Sequence, residues 1–181
     1  QAARILKNFD NLYTVSDYAA NVLRKYNPNV KVINNAVPDS FIKQTAIGKK
    51  IRFGYIGSII PIKGVDVLCK AFTIAKAVNH GISLTIAGDY NNSFGEKIFE
   101  QYSKVSDLQW LGEVEQLEKQ KFFDSIDVLC VPSLDDPCPL TVLEGAMRGK
   151  ALITTNKVGS NYVIKKPQDS FIVPTNTIQP L

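Results

Sequence analysis

From residue 51 onward, short apolar runs alternate with longer stretches of helical period. Ile51-Arg52-Phe53-Gly54-Tyr55-Ile56 reads as a strand. Val65, Leu68, Phe72, Ala75 and Val78 then recur at three- and four-residue steps, the stripe of an amphipathic helix. Asn79-His80-Gly81 closes it, with Gly81 as the stop. The same reading predicts strands over Ile82–Ala87, Leu108–Leu111, Asp127–Val131, Ala151–Thr155 and Phe171–Val173. Between them it predicts helices over Glu96–Val105, Gln116–Ile126 and Leu140–Arg148, the last stopped by Gly149, and a short helix near Tyr162. In the helix from Gln116, the expected inward residues are Leu117, Phe122 or Phe123, and Ile126. Strands this apolar, separated by helices, predict an α/β fold: a doubly wound, Rossmann-like parallel sheet covered on both faces.

The first 50 residues differ. Asn11–Val15 reads as a strand, Ser16 as the N-cap of a helix reaching Tyr26, and Val30–Ile33 as extended. Residues 34–50, with Pro38, Gly48 and paired lysines, read as a linker. Residues 1–33 are therefore expected to be the last strand-helix unit of a preceding domain or an interdomain segment. The alternative is an extra element of the same sheet. Residues 51–181 form the main domain, expected to stop just before a final helix.

Charge sharpens this division. The first 50 residues hold eight basic and three acidic side chains, a local +5, whereas the rest holds 13 and 14, a local −1. The larger part shows no basic stripe of the kind that follows a phosphate backbone, so nucleic acid is not an expected partner. No apolar run approaches the ~18 residues of a membrane span. The basic segment leaves room for a peripheral contact with an anionic membrane, but it is no amphipathic patch. Cys69, Cys130 and Cys138 are odd in number and widely spaced, and His80 is the single histidine. They predict buried reduced thiols in a cytoplasmic protein and no metal site.

In an open parallel sheet, ligands bind beyond the carboxyl ends of the strands. Two loops there carry most of the chemistry. In Gly57-Ser58-Ile59-Ile60-Pro61-Ile62-Lys63-Gly64, a lysine stands just before a helix whose free N–H groups favour anions, which suits a diphosphate. A solvated lysine at a helix start is the plainer alternative. The second loop runs from Pro132 through Asp135 and Asp136 to Pro139 and on to Glu144. Pro139 suits the first helical position, leaving the Leu140 and Thr141 N–H groups for an anion. A carboxylate at Glu144 can accept both hydroxyls of a ribose diol. The alternatives are a helix-entry turn for Asp135 and Asp136 and a surface helix position for Glu144, although Leu143, Gly145, Ala146 and Met147 point to burial. No Walker A sequence, complete GxGxxG or GxSxG occurs, which disfavours a dinucleotide dehydrogenase and a serine hydrolase.

The order of motifs resembles the C-terminal, donor-binding domain of retaining GT-B glycosyltransferases of family four. Tyr13-Thr14-Val15-Ser16 and Val32-Ile33-Asn34-Asn35-Ala36-Val37 are similar to its last N-terminal strand and its interdomain segment. Phe53–Gly57 with Lys63-Gly64-Val65-Asp66, Leu84–Asp89, Trp110–Val114 and Asp127–Ser133 are similar to its glycine loop and strand motifs. Asp136 to Glu144 is similar to its paired-carboxylate signature. Three positions depart from the usual pattern: Asp136 stands for a glutamate, Ser58 for an arginine and Pro139 for a glycine. Loss of the arginine would weaken donor binding, although Ser58 can still donate one hydrogen bond.

The resemblance implies a role for each matched residue. Glu144 would hold the ribose, Asp136 would face the transferred sugar, and Lys63 with the Leu140 and Thr141 amides would bind the diphosphate beside Gly57 and Ser58. Gly88, Gly112 and Val114 would border the base. It also implies no metal or other cofactor, because the lysine, helix dipole and backbone donors neutralise the leaving diphosphate. The expected function is transfer of a hexose from a nucleotide-diphosphate sugar to a glycan or lipid-linked acceptor with retention, as in polysaccharide biosynthesis. The missing N-terminal domain would complete the site, so the chain alone is expected to be inactive. A non-catalytic nucleotide-sugar-binding or scaffolding relative is the alternative, and an epimerase of the same architecture ranks third.

Overall fold

The computed structural model describes residues 2–38, 50–165 and 170–175. The main unit opens with the strand β3 (Ile51–Ile56) and alternates strands with helices. In chain order it contains a 3-10 turn (Pro61–Lys63), α3 (Val65–Val78), β4 (Ile82–Ala87), α4 (Ser93–Tyr102), β5 (Leu108–Gly112), α5 (Gln116–Ser125), β6 (Val128–Val131), α6 (Leu140–Met147), β7 (Ala151–Thr155), a second 3-10 turn (Gly159–Val163) and β8 (Ser170–Val173). The six strands pair in parallel in the order β5-β4-β3-β6-β7-β8. The strand order reverses between β3 and β6, the switch point at which doubly wound sheets open a ligand crevice.

Each face of the sheet has its own apolar layer. One gathers Tyr55, Ile82, Leu84 and Ile86 from the strands under Val65, Cys69 and Phe72 of α3 and Ile98 of α4. The other packs Leu129, Val131 and Leu152 against Phe122 and Phe123 of α5, Ile126 and Val142 of α6. The expected covering of both faces is therefore present. Several finer expectations change. Val78 is 83% and Leu117 73% exposed, so neither joins the core, while both Phe122 and Phe123 do. Cys69 takes the inward position on α3 that a strict apolar stripe does not assign. Burial pushes the Cys69 and Cys130 thiols up to about 12, whereas Cys138 is only half-buried.

Helix ends follow side-chain caps more closely than the apolar pattern predicts. α4 begins three residues early because Asn92 accepts a hydrogen bond from the Gly95 N–H. α3 ends as Asn79 turns extended, and the Asn79 side chain accepts from the Gly81 N–H, so Gly81 is not the left-handed stop. Gly149 follows α6 with φ +64, as expected of a stop.

The amino-terminal segment holds α1 (Ala2–Leu6), which the sequence pattern does not predict, then β1 (Leu12–Thr14), α2 (Asp17–Leu23) and β2 (Val30–Val32). Ser16 caps α2 as expected, but the helix stops three residues short of Tyr26. β1 and β2 pair in parallel as a separate two-stranded sheet rather than extending the six-stranded one. Of the expected linker over residues 34–50, positions 39–49 lie outside the described residues, as do residues 176–181.

At the amino end of the sheet, Asp127 ties β3 to β6. Its carboxylate accepts from the Arg52 backbone N–H at 2.9 Å, from Nε at 3.0 Å and from Nη2 at 2.6 Å. The Arg52 guanidinium accordingly holds the Asp127 carboxyl below its usual range, against the opposing effect of burial. Removing the carboxylate leaves the half-buried Arg52 N–H and its guanidinium without their acceptor. Asp127→Ala should cost roughly 2 kcal/mol in chemical denaturation near neutral pH. Because the folded-state value is lowered, the contribution is whole above about pH 4 and drains away as the pH falls through the lowered value. The stability gap between wild type and variant should therefore narrow on acidification.

Candidate functional site

The switch point, where doubly wound sheets open a ligand crevice, is bordered by the loops that follow β3 and β6. The first leaves β3 at Gly57, whose N–H donates to the Ala87 carbonyl, and Gly88 donates in turn to Gly112. The three glycines at the ends of β3, β4 and β5 thus lie on one continuous rim. Ser58 is exposed on this rim, and its carbonyl accepts a hydrogen bond from the Tyr55 hydroxyl at 2.8 Å. Burial, with a smaller effect of the Asp136 charge, raises the Tyr55 phenol and keeps it a donor. Val114, half-buried, packs onto the second core layer beside Gly112.

The two loops are sutured together. The Leu134 N–H donates to the Ile62 carbonyl at 2.8 Å. Gly64 lies at φ +67, and a Cβ there would sit 2.3 Å from the Pro132 carbonyl oxygen. Only glycine permits both the turn and the approach. This contact sets Lys63 against the second loop, where its Nζ lies 2.5 Å from Asp136 Oδ2. Lys63 ends the 3-10 turn rather than opening α3. It is therefore not a solvated helix-start lysine. Nor is it a bare cation, since Asp136 neutralises it. An ammonium has three donors, so the pair leaves two for a ligand.

The Asp136 loop is held on its other side as well. The Asp136 N–H donates to the Lys157 carbonyl, and the Asp136 carbonyl accepts from Gly159. The Thr155 hydroxyl donates to the Ser133 carbonyl at 2.5 Å. Two residues of the amino-terminal segment reach in: the Ser16 hydroxyl donates to the Pro137 carbonyl at 2.5 Å, and the Tyr18 hydroxyl to Asp135 at 2.8 Å. The sequence pattern marks Ser16 as a helix cap but gives no sign of this second bond.

Pro139 is the N-cap of α6, in extended geometry, rather than its first helical residue. Val142 N–H turns back to the Pro139 carbonyl, and the Leu140 and Thr141 N–H groups form no hydrogen bond among the described residues. Both are at the positive end of the helix dipole, Leu140 exposed and Thr141 half-buried. Glu144, one turn on, is buried, and its side chain is 6% exposed. It is therefore no surface helix residue. Its Oε1 lies 2.6 Å from Lys119 Nζ of α5, and its Oε2, also enclosed, accepts no hydrogen bond among the described residues. Lys119 is absent from the sequence expectation, because a lysine among the polar residues of α5 carries no pattern that sets it apart. Among the described residues no three His, Cys, Asp or Glu side chains gather as for a metal, and no helix is long and apolar enough to cross a membrane.

The geometry defines a class first: a six-stranded doubly wound α/β domain with an anion-ready helix end and two Lys–carboxylate pairs at its switch-point crevice. The family model "Glycosyl transferases group 1" matches residues 38–181, and the chain belongs to that family. The fold is that of the carboxy-terminal half of a GT-B glycosyltransferase. Sucrose-phosphate synthase from Thermosynechococcus elongatus superposes with a TM-score of 0.81 at 17% identity, over 99% of this chain and 49% of that one. HepE from Anabaena, solved with UDP and glucose, gives 0.81 at 14%, over 99% and 53%. The C-terminal domain of a glycosyl transferase group 1 protein from Francisella tularensis gives 0.68 at 15%, over 80% and 83%. The chain thus spans about half the length of the first two proteins. A search of the curated proteins finds no match.

The clamp on the Asp136 loop gives a direct test. A Cβ on Gly159 would lie 1.9 Å from the Pro137 carbonyl oxygen and 2.6 Å from Ser16 Oγ. Gly159→Ala should push the loop away, at a cost of about 3 kcal/mol in chemical denaturation. Ser16→Ala, which removes a cap and one hydrogen bond, should cost about 1–2 kcal/mol.

Proposed function

We propose that this chain is the donor-binding half of a retaining hexosyltransferase, holding a nucleotide-diphosphate hexose for transfer to a glycan or lipid-linked acceptor. One observation carries the reading: Lys63–Asp136 and the amino end of α6 meet at the switch point, with buried Glu144 one turn behind. In this reading the diphosphate lies on the Leu140 and Thr141 amides and the free donors of Lys63. Glu144 takes the ribose hydroxyls, Asp136 faces the hexose, and the Gly88, Gly112 and Val114 rim borders the base. The side-chain and backbone donors neutralise the leaving diphosphate without a metal. An oxocarbenium-like sugar is then attacked on the face from which the nucleotide leaves. The UDP bound by HepE makes uridine nucleotides the first donors to test.

Residues 1–33 belong, in this reading, to the end of a preceding domain, which closes the crevice over the donor and excludes water. The isolated chain should accordingly bind donor but transfer no sugar; product formed by the chain alone, with any nucleotide sugar, would overturn the two-domain reading.

Binding itself tests the site. Lys63→Ala should weaken UDP by about 10- to 100-fold, from the roughly 1.5–3 kcal/mol of a charged hydrogen bond, and leave uridine nearly unchanged. Equal loss for both would make Lys63 a structural cation. Glu144→Gln should lower UDP affinity about tenfold and abolish discrimination against 2′-deoxy-UDP. Discrimination that survives the change would remove Glu144 from the site.

A further inference from the structure

Lys119 sits in the first turn and a half of α5 and reaches across to α6. A lysine so near a helix amino end meets the unfavourable end of the dipole, so α5 itself gives no reason for it. Its side chain is 23% exposed, against 6% for Glu144, so Lys119 is the outer member of the pair. It fixes Oε1 at 2.6 Å, and it is the one ion-pair partner of Glu144 among the described residues. Oε2 is enclosed and without a donor. A carboxylate has about four lone-pair sites. With one taken by Lys119, rotation of the carboxylate is restrained at Oε1, and Oε2, which has no donor among the described residues, is left with the second lone pair of Oε1 to be satisfied by a ligand.

We propose that Lys119 is a positioning residue for sugar-diol recognition: it orients the Glu144 carboxylate so that a vicinal diol meets two correctly placed acceptors. This rests on the reading of Glu144 given above. Lys119 does not itself contact the diol. Its effect passes through Glu144, so it vanishes when Glu144 is no longer a carboxylate.

The experiment is a double-mutant cycle read as the affinity ratio of UDP to 2′-deoxy-UDP, by calorimetry on the folded chain. Lys119→Met should reduce the ratio at least fivefold, mainly through weaker UDP binding, while 2′-deoxy-UDP binding holds. Lys119→Arg should restore most of it. In the Glu144→Gln background, Lys119→Met should leave the ratio unchanged. A merely structural Lys119 would weaken both ligands alike or only lower the melting temperature, and either result overturns the proposal. A ratio that falls by the same factor with and without Glu144 would make Lys119 a direct ligand contact, which also overturns it. If Glu144→Gln alone leaves the ratio intact, it is the site reading that fails. If that variant abolishes the ratio and Lys119→Met does not change it, only the role of Lys119 fails. Should Lys119→Met not fold, Lys119→Ala, which likewise removes the donor, carries the same comparison.

Discussion

The helices that follow β3 and β6 leave for opposite faces of one parallel sheet, and the rest of the site depends on that divergence. α3 packs with the layer around Leu84 and Ile86, α6 with the layer around Leu129 and Leu152. Neighbouring strands whose connections part in this way cannot close over their own carboxyl ends. The gap is bridged by loop contacts instead: Gly64 against Pro132, Leu134 bonded to Ile62, and Lys63 paired with Asp136.

Both lysine–carboxylate pairs follow a common physical logic. Asp136 and Glu144 are buried enough that an unpaired charge there would be costly, and each has a lysine from another element to offset it. Each lysine remains more exposed than its partner, so the pair presents ammonium donors outward and fixes the acceptor inward. The amino-terminal segment joins the same arrangement. Ser16, fully buried, caps α2 and bonds the loop that carries Asp136. The segment before the main domain is thereby mechanically linked to one side of the crevice.

Much of this was legible in the sequence because it depends on periods and punctuation. The strands are bounded correctly within a residue or two, since runs such as Ile82–Ala87 admit no helical stripe. The loops could be placed because parallel strands put all their carboxyl ends on one side. What escaped the sequence depends on partners distant in the chain. Lys119 meets Glu144 across 25 positions and Ser16 meets Pro137 across 121, and no local pattern reports either contact. Leu117 points inward by period but faces solvent, since Phe122, Phe123 and Ile126 already fill the layer over Leu129. The apolar spacing starts the helix from Ser93 three residues late because its cap, Asn92, outweighs it.

The central claim is that the nucleotide lies at the switch point, on the amino end of α6. Amide chemical-shift mapping during titration with UDP tests it most directly. The largest changes are expected at Ser58, Leu140 and Thr141, with smaller ones along Gly88 and Gly112. Changes confined to the surface depression between α3 and α4, lined by Asp66, Lys70, Phe94 and Tyr102, would contradict it.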